Sequence, residues 1–157
     1  MLTVALLAAA AVVPPPDLRS TFDLDPTRTG RYSESVRLCR EYEASFPSRV
    51  RCEVFGVTPE GRPMVALVVS GDGTLDAQAA KAKRRPVVMF QGGIHAGEID
   101  GKDAGFQIVR EALADRSKKR TGDEESLSSA ITNVTLVFVP GVSASGRAKA
   151  MQKNSAS

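Results

Sequence analysis

The chain has no tryptophan, one histidine, and only two tyrosines and six phenylalanines in 157 residues. A protein that stacks nucleic-acid bases needs exposed rings, so this composition argues against that class, and a net charge of +3 adds little. Basic residues do cluster, at Lys81, Lys83, Arg84 and Arg85 and again from Arg116 to Arg120, but Asp123 to Glu125 follow the second cluster. Solvated loops account for both, and no nucleic-acid partner is expected. No apolar run reaches the roughly 20 residues of a membrane-spanning helix, so no stable span is expected either.

What is present fits one domain with a real core: 42% of residues are hydrophobic, and the length suits a single unit. Residues 1–13 are apolar from Leu2 to Val13 and end in small residues of the Ala-x-Ala type, the pattern of a signal peptide. Its basic n-region is missing, because no Lys or Arg precedes Arg19. Export is the expectation that follows, to the periplasm or the medium. Cys39 and Cys52 suit either an exported disulfide or two buried thiols, and the sequence leaves both open. Asn133-Val134-Thr135 matches the glycosylation pattern but stands at the start of an expected strand.

Residues 14–30 begin with three prolines and are rich in turn formers, which predicts an extended linker or arm whose order would have to come from docking. From Arg31 to Ser45 the spacing of Tyr32, Val36, Cys39, Tyr42 and Phe46 makes one apolar helical stripe, ended by Pro47. Val50 to Val54 alternates as a half-buried strand. Thr58-Pro59-Glu60-Gly61 then supplies a turn before Arg62 to Val69, a second strand apolar enough to be covered on both faces, and the two suggest an antiparallel hairpin.

Leu75 to Lys83 has room for a short surface helix or loop. Pro86 to Gln91 is nearly all apolar, which predicts a third strand central to its sheet. Ile99 to Ala114 carries Phe106, Val109 and Leu113 on one stripe beside Ile108 and Ala112, and Gly101 and Gly105 would let this helix lie close to the sheet. Asp115 to Ser129 reads as an exposed connection, and Ile131 to Val139 returns as a fourth strand, Val134-Thr135-Leu136-Val137-Phe138-Val139. Two apolar strands joined through a helix point to a right-handed crossover in a mixed α/β sheet, with helices flanking it. The domain is thus expected over residues 31–140, and the Ser-, Ala- and Lys-rich residues 141–157 as a disordered tail.

Between the third strand and the next helix lies Gln91-Gly92-Gly93-Ile94-His95-Ala96-Gly97-Glu98. His95 and Glu98 can turn an imidazole and a carboxylate toward one point, the donor types zinc takes. A histidine followed at the third position by an acid arises by chance about once in eight cases, so spacing alone is weak. A loop histidine bonded to a carbonyl, with Glu98 as a favourable charge in the first helical turn, accounts for it as well. Placement adds weight. In α/β sheets sites form beyond the carboxyl ends of strands, and Gly92 and Gly93 keep that end open. Asp100 or Asp103 could orient the ring through its other nitrogen.

The stretch from Val87 to Glu98 resembles the zinc-ligand segment of metallocarboxypeptidases of the carboxypeptidase A type, in which a His-x-x-Glu pair follows a central strand. Upstream, Tyr32 through Phe46-Pro47 and then Gly56-Val57-Thr58-Pro59-Glu60-Gly61-Arg62 are similar to that family's first helix and its Gly-x-[ST]-x-x-Gly-Arg hairpin. Residues 30 to 140 are covered. The resemblance implies the N-terminal part of a zinc-carboxypeptidase-like α/β/α fold. It also implies a Zn2+ ion held by His95, Glu98 and a later histidine, with a later glutamate as general base and a peptide bearing a free C-terminus as substrate.

The match has a limit. There is no second histidine, and after the fourth strand the chain reads Val139-Pro140-Gly141-Val142 where the family has a segment around Asn-Pro-Asp-Gly. Two donors hold zinc loosely, so a truncated form with little activity and no catalytic residue of its own is expected. A sheet cut after its fourth strand would leave an apolar edge open, a hazard that self-association would relieve. Two other readings stay open on the sequence: a metal-dependent deacylase of N-acyl amino acids, and a non-catalytic remnant or binding domain in which His95 and Glu98 are structural.

Overall fold

The computed structural model describes residues 17–95, 97–114 and 127–141, with the backbone alone for Leu127 and Ser128. The expected leader, most of the charged connection, the second basic cluster and the expected tail from residue 142 lie outside the described residues. Among these residues four strands form one mixed sheet: β1 (Val50–Val57), β2 (Pro63–Ser70), β3 (Val87–Gln91) and β4 (Thr135–Val139). Their order is β1-β2-β4-β3, with β1/β2 and β2/β4 antiparallel and β3/β4 parallel. Among the described residues five helices accompany it: α1 (Thr21–Leu24), α2 (Tyr32–Ser45), α3 (Ala77–Ala82), α4 (Asp100–Leu113) and α5 (Leu127–Asn133). The expected class, a partial mixed sheet flanked by helices, is the class observed.

Register explains where the core sits. Cys52, Leu67, Phe138 and Phe90 form one row across the sheet, and Val50, Val69, Leu136 and Val88 form the next. On this face α2 brings Leu38, Cys39 and Tyr42, and α4 brings Phe106, Val109, Ala112 and Leu113, into one cluster of buried side chains. The Tyr42 and Phe106 rings stack at 6.3 Å, and Phe106 meets Phe138 edge-on at 5.2 Å. The helix can come this close because position 105 is glycine: a Cβ there would stand 2.2 Å from the Phe138 ring.

Cys39 and Cys52 form a disulfide that ties α2 to β1, their Cα atoms 5.3 Å apart. Of the two states the sequence allowed, this is the one observed.

Four expectations are corrected. β3 is not central: β4, the last of the described strands, pairs between β2 and β3 and leaves β3 at an edge among the described residues. Its Val87, Val88 and Met89 are 54%, 47% and 66% exposed. The apolar run stated a demand for cover, which Phe90 meets by stacking on Phe138 at 4.5 Å and which Val87, Val88 and Met89 do not meet among the described residues. Second, Ile131 to Asn133 belong to α5 and not to the strand, with Ile131 in the core.

Third, Arg85 is not a solvated loop residue. Its guanidinium is 7% exposed and donates to the Ile131, Thr132 and Val134 carbonyls, each within 2.8 Å, capping the end of α5 where a cation is favoured. Fourth, the stretch read as an extended arm contains a helical turn, α1. Ser20 accepts from the Asp23 amide and Asp23 accepts from the Ser20 amide, a reciprocal cap.

The arm's order does come from docking. The Leu18 carbonyl accepts from the Tyr42 hydroxyl at 3.2 Å, Arg37 donates to the Asp17 carbonyl at 2.9 Å, and Asp23 pairs with Arg110 on α4.

Candidate metal centre

The parallel pair β3/β4 ends on one side of the sheet, with Gln91 beside Val139, and the Gly92 amide continues the ladder by donating to the Val139 carbonyl at 2.9 Å. Beyond that point the chain turns at once. Gly93 has φ +58° and packs near Pro140, where a Cβ would stand 3.2 Å from a carbonyl oxygen. Gly92 lies against the start of α4, where a Cβ would stand 2.5 Å from the Gly101 carbonyl carbon. No larger residue fits at 92 without moving the helix from the strand end.

A second turn joins the two candidate donors. The Glu98 amide donates to the His95 carbonyl at 3.2 Å, and Gly97, at φ +96°, takes the left-handed conformation that favours glycine. His95 and Glu98 therefore sit on one tight turn at the carboxyl ends of two parallel strands, and both are exposed. The sequence placed the pair beyond a strand end, and the structure does the same.

The expected ring-orienting role does not fall to Asp103. That carboxylate is 3% exposed and turned to Lys102, its Oδ1 lying 2.5 Å from the Lys102 Nζ without hydrogen-bond alignment. Asp100 is exposed in the first turn of α4. Lys102 went unnoticed in the sequence. It is 1% exposed, and its ammonium donates to Glu34 Oε2 on α2 at 3.1 Å. Its one sequence signal was a charged residue on the side of α4 shared with Phe106 and Val109.

The chemistry of the donor pair suits zinc, since imidazole nitrogen and carboxylate oxygen are both common ligands. The donor count does not suffice. Among the described residues no group of three or more His, Cys, Asp or Glu is arranged to hold a metal ion. Two donors supply two corners of a tetrahedral site and do not by themselves retain the ion.

The turn thus lies where sites form in α/β sheets, beyond the carboxyl ends of the parallel strands, with helices flanking the sheet. The profile of the zinc carboxypeptidase family (peptidase M14) matches residues 35–156, and the chain belongs to that family.

Carboxypeptidase A from Helicoverpa armigera aligns at 19% identity and TM-score 0.55, over 78% of this chain and 26% of that one. Thrombin-activatable fibrinolysis inhibitor aligns at 16% identity and TM-score 0.66, over 88% of this chain and 31% of its own. The bovine form of that protein, solved with a tick carboxypeptidase inhibitor, aligns at 16% identity and TM-score 0.60, over 81% and 35%. These likenesses show the fold, and the chain spans about a third or less of the length of each. No curated protein matches.

Proposed function

We propose that this chain carries the first part of a zinc metallocarboxypeptidase site, with His95 and Glu98 as two of the metal's protein ligands. The observation that carries this is the His95–Glu98 turn at the ends of β3 and β4 in a member of the zinc carboxypeptidase family. The reaction is hydrolysis of a C-terminal peptide bond, with a peptide or peptide-like molecule bearing a free C-terminus as substrate. When bound, zinc acts as a Lewis acid that acidifies water. The part assigned to this chain's residues is narrower: to hold an imidazole and a carboxylate in fixed relation.

The third ligand, the general base and the clamp for the substrate's carboxylate come from outside the described residues. The isolated chain therefore has little or no turnover. The Cys39–Cys52 disulfide supports export to an oxidising compartment, as does the apolar leader. The open β3 edge, with Val87 and Met89 bare, supports self-association in the absence of other cover.

Zinc titration of the full chain, followed by nuclear magnetic resonance at the ring of its one histidine, tests the ligand assignment. The expected result is a zinc-dependent shift of the His95 signal that weakens in Glu98→Gln. A His95 signal indifferent to zinc would overturn it. Assay of C-terminal amino-acid release tests the other part: robust turnover abolished by His95→Ala would contradict the expected inactivity.

A further inference from the structure

We infer that Lys102 is a positioning residue, which through Glu34 and Thr21 anchors the first turn of α4 and so fixes the His95–Glu98 turn ahead of it. A lysine at the start of a helix is misplaced twice. The macrodipole disfavours a cation there, and burial strips its water. Yet Lys102 is 1% exposed. Its ammonium donates to Glu34 Oε2 at 3.1 Å, and the other Glu34 oxygen accepts from both the amide and the hydroxyl of Thr21, each at 2.6 Å. Arm, α2 and α4 are thus joined through one carboxylate.

The anchor stands where the usual local device is missing. The residue at the N-cap of α4 is Ile99, which offers no side-chain hydrogen bond to the first turn. That turn is held from outside instead, by the Gly92–Gly101 backbone contact toward the sheet and by Lys102 toward α2. The Lys102 and Asp103 amides both donate to the Ile99 carbonyl at 3.1 Å, next to Glu98 in the chain. Movement of Lys102 is therefore passed to Glu98 over four residues. Buried ion pairs contribute little net stability compared with well-packed apolar groups, but they can fix a geometry.

The test uses the full metal-free chain and reads hydrogen exchange at the Glu98 amide. Lys102 also faces the buried Asp103 carboxylate at 2.5 Å, so the ionic cluster is replaced whole: Lys102→Met, Glu34→Gln and Asp103→Asn together are expected to leave the melting temperature near that of the parent and to speed Glu98 exchange about tenfold or more. Thr21→Pro provides a milder variant should the triple replacement not fold. It suits the first position of α1 yet removes both donors to Glu34, and a smaller increase is expected. Val109→Ala, in the same helix but away from the anchor, should lower the melting temperature and leave local exchange at Glu98 unchanged.

An unchanged Glu98 rate in the anchor variants would overturn the inference, as would an equal increase in Val109→Ala. The consequence for zinc rests on the ligand reading above, and the two separate cleanly. If the His95 signal ignores zinc while the exchange pattern holds, the ligand reading fails and the positioning role stands.

Discussion

Asp23 in the arm and Arg110 on α4 form an ion pair across 87 residues of sequence, with the aspartate almost wholly buried and the arginine a third exposed. Burial pushes the Asp23 carboxyl up, but the Arg110 guanidinium and the Ser20 amide and hydroxyl outweigh it and hold its pKa below the ordinary 3.8. Glu34 behaves alike. Burial raises it, while Thr21 and Lys102 bring it below the ordinary 4.5. Both are carboxyls with depressed folded values, so their contribution is present above the unfolded values and is lost as pH falls through the folded ones. Arm docking should be intact near neutrality and weaken as pH drops below about 4. Amide exchange of residues 18–25 across that range checks this, and constant protection down to about pH 2 would refute it.

The Cys39–Cys52 bond closes a loop of 13 residues between α2 and β1. On the chain-entropy model a loop of that size is worth about 3 kcal/mol, so the double serine variant should lose roughly that stability in chemical denaturation. Reductant should lower the stability of the parent by a similar amount and leave the variant untouched.

Gly105→Ala should destabilise the protein by about 1–3 kcal/mol through overpacking, because the new methyl would meet Phe138 at 2.2 Å and Phe90 at 2.9 Å. Thermal melts report the loss. The compensating Phe138→Leu change, which frees that space, should recover part of it.

Arg84 holds φ +51° just after α3, where the Arg85 amide donates to the Ala80 carbonyl and the Arg84 amide to that of Lys81. This is a left-handed helix end at which glycine is the usual residue. Arg84→Gly should gain about 0.5–1 kcal/mol, the relief of the Cβ strain offset in part by added chain entropy. A lower melting temperature would show that the arginine side chain contributes more than its backbone costs.

Met89→Lys places a charge on the bare face of the edge strand β3. It should shift the chain toward monomer in sedimentation experiments and leave its melting curve nearly unchanged, since Met89 is 66% exposed. Equal association in both proteins, or a monomeric parent, would count against β3 as a self-association surface.

Much of this fold was legible in the sequence because side-chain period carries it. The stripe of Phe106, Val109 and Leu113 marked the buried face of α4, and the turn at Thr58 to Gly61 marked the β1–β2 hairpin. Gly101 and Gly105 foretold the close approach of helix to sheet. Strand order was not legible. Apolarity says that Val87 to Phe90 want cover, but which strand lies beside them is decided by pairing with Thr135 to Val139, about 50 residues on.

Buried charge was also hidden: Arg85 and Lys102 are polar letters in the sequence, and only their partners, carbonyls and carboxylates far along the chain, account for their burial. Of the candidate site, the sequence located the turn and both donor residues. It did not show that Asp103 faces Lys102, because that choice is made by packing between α2 and α4.

The insertion of β4 between β2 and β3 also sets an order of events in folding. The stretch from Tyr32 to Ser70 holds a helix, a hairpin and a disulfide, all closed by contacts near in sequence, and can condense early. β3 has no neighbour among the described residues until Thr135 to Val139 have been synthesised. A nascent chain therefore carries Val87 to Phe90 unpaired through the production of about 45 further residues, a few seconds at ordinary translation rates. During that interval an unpaired apolar strand is open to aggregation.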